Sequence, residues 1–193
     1  MTSKIKDFAL KNDVPIINDE GLAFIINKIK QYNIKTILEI GTAIGYSAIS
    51  FTMNGASVTS VERNDLMHEL AVKHVNELAL NDKITLIHDD ALTTELVTGK
   101  FDLIFIDAAK AQYEKFFNKY EKHLNEGGII ICDNLNFHNL DITKVSRNTR
   151  QLLGKIDRFK EFLRNNEHFS TTFYDDGDGM SVSIKNEKTS NDF

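Results

Sequence analysis

Short runs of branched apolar residues alternate along the chain with segments whose apolar positions recur at helical spacing. Leu22, Ile25, Ile26, Ile29 and Tyr32 form one stripe over residues 19–32, which predicts a helix ahead of a first strand at 36–40. The same rhythm predicts a helix at 45–53, a strand at 58–62, a helix at 65–80 with Leu66, Leu70, Val75 and Leu78 inward, and a strand at 84–88. A short helix at 92–97 and a strand at 101–106 follow, then a helix at 111–124 with Tyr113, Phe116, Phe117 and Tyr120 inward. Gly127-Gly128 punctuates the chain before a strand at 129–132. Strands alternating with helices predict βαβ units and a mainly parallel sheet, and strands that are apolar throughout predict burial on both faces. The last quarter changes rhythm. A helix at 145–163, with Val145, Leu152, Ile156, Phe159 and Leu163 on one face, precedes two strands at 169–174 and 180–184 around Asp175-Asp176-Gly177-Asp178-Gly179. So short a link predicts an antiparallel pair. The whole reads as one domain over residues 1–193, with a helical segment at about 1–32 and a sheet core at about 36–185.

The sharpest local signal is LEIGTAIGYS at residues 38–47. Gly41, Ala43 and Gly45 stand where the chain leaves the first strand and turns at once into a helix. Small residues there let a ligand approach backbone N–H groups and the positive end of the helix. At the C-terminal edge of a doubly wound sheet this is a nucleotide-like site, although two glycines alone also occur in plain tight turns. No Gly-Lys-Ser/Thr is present, and the G-x-x-x-G spacing departs from the dinucleotide fingerprint. The second strand ends in Val61-Glu62, 21 residues after Gly41, where a carboxylate can accept both hydroxyls of a ribose. His88-Asp89-Asp90-Ala91 ends the third strand, where an acidic side chain can meet an adenine. Asp107 and Asp133-Asn134 follow two further strands on the same edge. Two carboxylates and an amide oxygen suit Mg²⁺; by spacing alone they serve equally as a loop cap. Cys132, the single cysteine, falls within a strand pattern and reads as a core thiol in a reducing compartment.

These residues resemble class I S-adenosylmethionine (SAM)-dependent methyltransferases, and within them the metal-dependent O-methyltransferases related to the catechol and caffeoyl-CoA enzymes. The motifs are LEIGTAIGYSA, Val61-Glu62, DDA at 89–91, FIDAAKAQY at 105–113, ICDN at 131–134 and GDG at 177–179. The resemblance implies an α/β, Rossmann-like class I fold whose seven-stranded, mainly parallel sheet ends in a C-terminal antiparallel hairpin. It implies that Glu39, Gly41 and Gly45 hold the methionine part of SAM, with Ser47 near its carboxylate. Glu62 would take the ribose, Asp90 and Ala91 the adenine, and Asp107 would also border the donor. Asp107, Asp133 and Asn134 match the family's Mg²⁺ ligands, and Lys110 matches its lysine beside the acceptor hydroxyl, so the catalytic pair is Lys110 with Asp107. The implied chemistry is direct methyl transfer to one of two adjacent oxygens chelated by the metal. Tyr113 reads as a packing residue. Asp175-Asp176 stands where many relatives carry an apolar-Pro pair.

The chain is also similar to a bacterial branch that methylates 5-hydroxyuridine at the tRNA wobble position, where O5 and O4 are adjacent oxygens. Composition is globular, with 41% hydrophobic residues, ten Gly and one Pro, and a net charge of −5 excludes a uniformly basic surface. Four of the five arginines nevertheless fall at Arg147, Arg150, Arg158 and Arg164, and residues 141–168 carry seven Lys/Arg against four Asp/Glu. A solvated helix face has the same pattern. On the tRNA reading, Arg147 and Arg150 meet phosphates, and Phe137 or His138 contacts the splayed base of the anticodon loop; Phe137 serves a loop core equally well. The expectation is a cytoplasmic homodimer acting on tRNA, with the amphipathic stretch around Ile5, Phe8 and Leu10 available to join copies. No 18-residue apolar run predicts a membrane span. Two alternatives stay open, a catechol-type small-molecule O-methyltransferase and a non-catalytic nucleotide- or RNA-binding domain. The second is disfavoured by Asp107, Lys110, Asp133 and Asn134 occurring together.

Overall fold

Side-chain caps set where the helices begin. In the computed structural model, which describes residues 2–136 and 145–186, Asn18 accepts from Gly21 N at the start of α2 (Asp19–Gln31). Asn64 accepts from Met67 N at α4 (Asp65–Glu77), and Ser146 from Thr149 N at α6 (Arg147–Arg164). The remaining helices are α1 (Thr2–Lys11), α3 (Tyr46–Met53) and α5 (Tyr113–Tyr120). The strands are β1 (Thr36–Ile40), β2 (Ser57–Glu62), β3 (Ile84–His88), β4 (Phe101–Ile106), β5 (Leu124–Cys132), β6 (Phe169–Tyr174) and β7 (Met180–Lys185). They form one seven-stranded sheet in the order β3-β2-β1-β4-β5-β7-β6. The first five are parallel, and β7 pairs antiparallel with both β5 and β6. The chain order reverses between β1 and β4, so the C-terminal ends of the parallel strands open a crevice there.

Both sheet faces are covered, as the uninterrupted apolar strands require. Ile37, Leu103, Phe105, Ile129 and Ile131 pack toward α1 to α4. Leu38, Ile40, Ile104, Ile106 and Ile130 pack toward Tyr113, Phe117, Phe159 and Leu163 of α5 and α6. Cys132 is a buried core thiol.

Four local expectations change. Residues 92–97 form no helix, because the Asp90 carbonyl accepts from Thr93 N and Thr94 N while its carboxylate accepts from Leu92 N, closing a turn instead. Leu66 is 59% exposed, and Ala71, His74 and Val75 carry the buried face of α4. The helix expected at 111–124 is α5 flanked by 3₁₀ turns at Lys110–Gln112 and Glu121–His123, and β5 begins at Leu124 rather than 129. A Cβ on Gly128 would lie 2.9 Å from Asn125 O and 3.0 Å from Asp102 O, so the glycine permits this close strand pairing rather than ending a helix. In α1, Ile5 and Ala9 are buried in the chain's own core, while Phe8 and Leu10 stay exposed.

Asp102 locks the entry to β1. Its carboxylate accepts from Lys35 N (2.9 Å), Thr36 N (3.0 Å), Thr36 Oγ1 (3.1 Å) and Asn125 Nδ2 (2.7 Å). Burial opposes ionisation, but these bonds outweigh it and hold the carboxyl below its usual range. Asp102→Ala is expected to cost about 2 kcal/mol in chemical denaturation at pH 7. A lowered folded-state value gives stability present above the unfolded value of 3.8 and lost below it, so the gap between wild type and variant should close in acid.

Candidate active site

Backbone bonds continue the parallel ladder past the strand ends. Gly41 N donates to Val61 O (3.0 Å), Asp107 N to Ile40 O (3.0 Å), Asp133 N to Ile106 O (3.2 Å) and Asp89 N to Glu62 O (3.0 Å). Five strand ends are thereby fixed side by side around a cavity of about 600 Å³. Gly41, at φ +102, passes so close to β4 that a Cβ would sit 2.0 Å from Asp107 O. Gly45, at φ +83, is the N-cap of α3.

One wall of the cavity comes from the glycine loop and the ends of β2 and β3. Gly41, Thr42, Ala43 and Ser47 line it on one side, and Glu62, Asp90 and Ala91 on the other. The Glu62 carboxylate accepts from Ala43 N and Asn64 N, both at 2.9 Å, and so fixes Ala43 in its left-handed conformation at φ +44. Arg63 reaches Asp90 at 3.5 Å, and Tyr120 Oη donates to Ala91 O at 2.6 Å.

Glu39 lies beneath the loop rather than on the cavity wall, fully buried. Ser60 Oγ donates to its Oε2, and Thr42 Oγ1 bonds Ser60 Oγ at 2.6 Å. Burial pushes this carboxyl up to about 8, against the opposing Ser47 and Ser60 hydroxyls. A raised folded-state value means stability fully present below the unfolded value of 4.5 and lost as pH rises through about 8. Glu39→Gln should therefore melt above wild type at pH 8 and lose that advantage near pH 5, by thermal denaturation without ligand.

The opposite wall is acidic and tightly wired. Asn134, at φ +62, donates its backbone N–H to Asp133 Oδ1 (2.6 Å) and its Nδ2 to Asp107 Oδ1 (3.2 Å). Its Oδ1 accepts from Lys110 Nζ at 3.0 Å. Tyr113 Oη donates to Asp133 O at 2.9 Å, so the packing tyrosine also positions this strand end. Burial raises Asp107 to about 6 despite the Lys110 ammonium, and Asp178 adds to the shift. Burial and the neighbouring Asp107 raise Asp133 to about 7. Asp178 lines the same cavity, held by Asn136 N bonding its carbonyl at 2.8 Å. Asp175 accepts from Asn136 Nδ2 at 2.8 Å, and Lys160 donates to Asn136 Oδ1 at 2.8 Å. The Asp175 departure thus ties the β6–β7 turn to the chain leaving β5.

Of the residues expected from sequence, Gly41, Ser47, Glu62, Asp90, Ala91, Asp107, Lys110, Asp133 and Asn134 share this cavity, and Glu39 and Gly45 support it from behind. Asp178, Phe116, Tyr46 and the Pro15–Ile17 segment were not singled out for it. Only the Gly-Asp-Gly spacing around Asp178 carried a usable signal. Among the described residues, no group of three or more His, Cys, Asp or Glu is placed to hold a metal, so the expected magnesium binding gains no support from such a cluster.

Sheet order, crevice and glycine loop together make a Rossmann-like class I SAM methyltransferase fold. A family profile described as O-methyltransferase matches residues 3–186. A candidate caffeoyl-CoA O-methyltransferase from Staphylococcus aureus, known from a crystal structure, is 37% identical with a TM-score of 0.90, over 96% of this chain and 92% of that one. A caffeoyl-CoA O-methyltransferase of Populus kitakamiensis is 26% identical over 88% of this chain and 76% of its own. A flavonoid 3′,5′-methyltransferase of Vitis vinifera is 25% identical over 93% and 80%. The chain belongs to the O-methyltransferase family. It is a SAM-dependent O-methyltransferase, and the non-catalytic reading falls.

The tRNA reading falls as well, because the matching relatives are named for caffeoyl-CoA and flavonoid acceptors. Arg147 and Arg150 are exposed on the first turns of α6, away from the cavity wall, and Arg150 donates to Val145 O at 3.3 Å. Phe137 and His138 lie outside the described residues. Among the described residues, no helix is long and apolar enough to cross a membrane.

Proposed function

We propose that the protein transfers the SAM methyl group to one of two adjacent hydroxyls on a small catechol-type acceptor, with residues 1–193 acting as one catalytic domain. The observation that carries this reading is the facing of two unlike walls across one cavity. One is the glycine loop with Glu62 and Asp90; the other is Asp107, Lys110, Asp133 and Asn134. Gly41 and Ser47 bind the methionine part of the donor, Glu62 the ribose, and Asp90 with Ala91 the adenine. Glu39 provides a buried negative charge behind the loop when it ionises.

Asp133 is buried and Asp107 half-buried, their ionised forms repel each other, and a hard cation would relieve both costs. With the Asn134 oxygen they would hold Mg²⁺. When bound, such an ion supplies chelation of adjacent oxygens and lowers the pKa of one. Lys110 sets a positive charge beside the developing phenolate. The acceptor hydroxyl gives its proton to solvent, the oxygen attacks the sulfonium methyl, an O–C bond forms as the S–C bond breaks, and the S–C electron pair stays on sulfur in S-adenosylhomocysteine. The cavity's contribution is alignment of the two reactants. Label from methyl-labelled SAM should appear in methylated caffeate with Mg²⁺ present and fall at least ~100-fold with EDTA. Retained donor binding with no transfer to any catechol would overturn the reading.

A further inference from the structure

We infer that the Tyr46 hydroxyl, backed by the Lys6 ammonium of α1, recognises the α-carboxylate of the methionine part of SAM, which makes the N-terminal helix part of the SAM site. The inference rests on the placement of that methionine part beside Gly41 and Ser47 proposed above. Among the described residues, three hydroxyl side chains line the cavity: Thr42, Tyr46 and Ser47. Two of them are already engaged inside the protein. Thr42 Oγ1 bonds Ser60 Oγ at 2.6 Å, and the Ser47 hydroxyl bonds the Glu39 carboxyl. Tyr46 is buried on the cavity wall, 6% exposed, and its hydroxyl has no hydrogen-bond partner among the described residues. A polar group so deeply placed normally finds a partner, because an unmade bond there costs more than a made one returns. A carboxylate seated beside Ser47 would be that partner, and a charged acceptor makes the stronger bond.

The surroundings favour an anion at this point. Tyr46 is the first residue of α3, and the N-cap Gly45 brings no side chain to bond the first N–H groups of the helix, so its positive end is left to a ligand. Lys6 of α1 and Asp19 of α2 are the charges that act on the Tyr46 phenol, and Lys6 acts the more strongly. Burial outweighs Lys6 and raises the phenol above its usual range, so the hydroxyl keeps its proton and donates. The Lys6 ammonium bonds both Asp19 carboxylate oxygens at 2.6 Å, and an ammonium has three N–H groups to give. Asp19 is the outer member of the pair, its side chain 72% exposed against 32% for Lys6, so water screens the anion more than the cation. The negative charge that the α-ammonium of SAM needs lies elsewhere, in Asp107 on the cavity wall and Glu39 beneath the loop.

The test is calorimetric binding of S-adenosylhomocysteine and of its decarboxylated analogue, 5′-(3-aminopropylthio)-5′-deoxyadenosine, with neither acceptor nor metal present. Wild type should bind S-adenosylhomocysteine at least about tenfold more tightly than the analogue. Tyr46→Phe, which keeps the ring in place, should weaken S-adenosylhomocysteine about tenfold and leave the analogue within about twofold. Lys6→Gln should weaken S-adenosylhomocysteine alone, by about threefold, and Lys6→Arg, which keeps the charge, should stay within about twofold of wild type. Thermal melting without ligand reports whether each variant folds, and Lys6→Gln carries the comparison should Tyr46→Phe fail to. Equal affinity for the two compounds in wild type, or a folded Tyr46→Phe that weakens both alike, would overturn the inference while leaving the SAM site intact. A Lys6→Gln variant with undiminished selectivity would overturn the part given to α1. Absence of S-adenosylhomocysteine binding in wild type would instead remove the placement on which the inference rests.

Discussion

Gly41→Ala is expected to destroy the site and to destabilise the fold by roughly 4 kcal/mol or more. Two costs coincide at this position. The backbone angle of +102° lies where L side chains are strained, and the added methyl would sit 2.0 Å from the Asp107 carbonyl. That carbonyl belongs to the residue whose N–H extends the β1–β4 ladder, so it cannot retreat without parting the two strands that define the crevice. Urea denaturation and SAM titration of the same preparation would report both losses. A variant with near-normal stability and donor affinity would refute the close approach.

Asp133→Ala is expected to cut methyl transfer by about 10³-fold while leaving SAM affinity within about threefold. Asp133 is 3% exposed and stands on the acceptor wall, across the cavity from the loop, Glu62 and Asp90. Its Oδ1 also holds the Asn134 backbone, whose side chain links Asp107 to Lys110. One truncation therefore disorganises the acceptor wall as a unit. Asp133→Asn separates shape from charge, since it can keep the Asn134 N–H bond and should still lose most activity. Equal loss of donor binding in either variant would mean the two walls are not separate.

Much of the fold was legible because local and global preferences agree. The apolar strands had to be covered on both faces, and the stripes read from residues 19 and 65 begin where Asn18 and Asn64 cap α2 and α4. The wall of Gly41, Glu62 and Asp90 was legible for a related reason: each stands at or just beyond the C-terminal end of a strand. What sequence pattern missed was decided by contacts distant in the chain. Asp90 bends its own backbone where apolar spacing favoured a helix, and Gly128 continues a strand because Asp102 O crowds it. Asp178 enters the cavity beside a backbone bond from Asn136 N to its carbonyl that no periodicity announces. The acceptor was misread because clustered arginines look alike whether they meet phosphates or solvent, and Arg147 and Arg150 prove to lie off the cavity wall.

The most direct measurement sets a catechol against its monophenol. With labelled SAM and Mg²⁺, methyl transfer to caffeate and to 4-coumarate, which lacks one of the two adjacent hydroxyls, would be followed by mass spectrometry. The expected result is one methyl added to caffeate at a rate at least ~100-fold above that on 4-coumarate, with no second addition to the product. Comparable rates on both would contradict the central claim that this acidic wall selects paired oxygens.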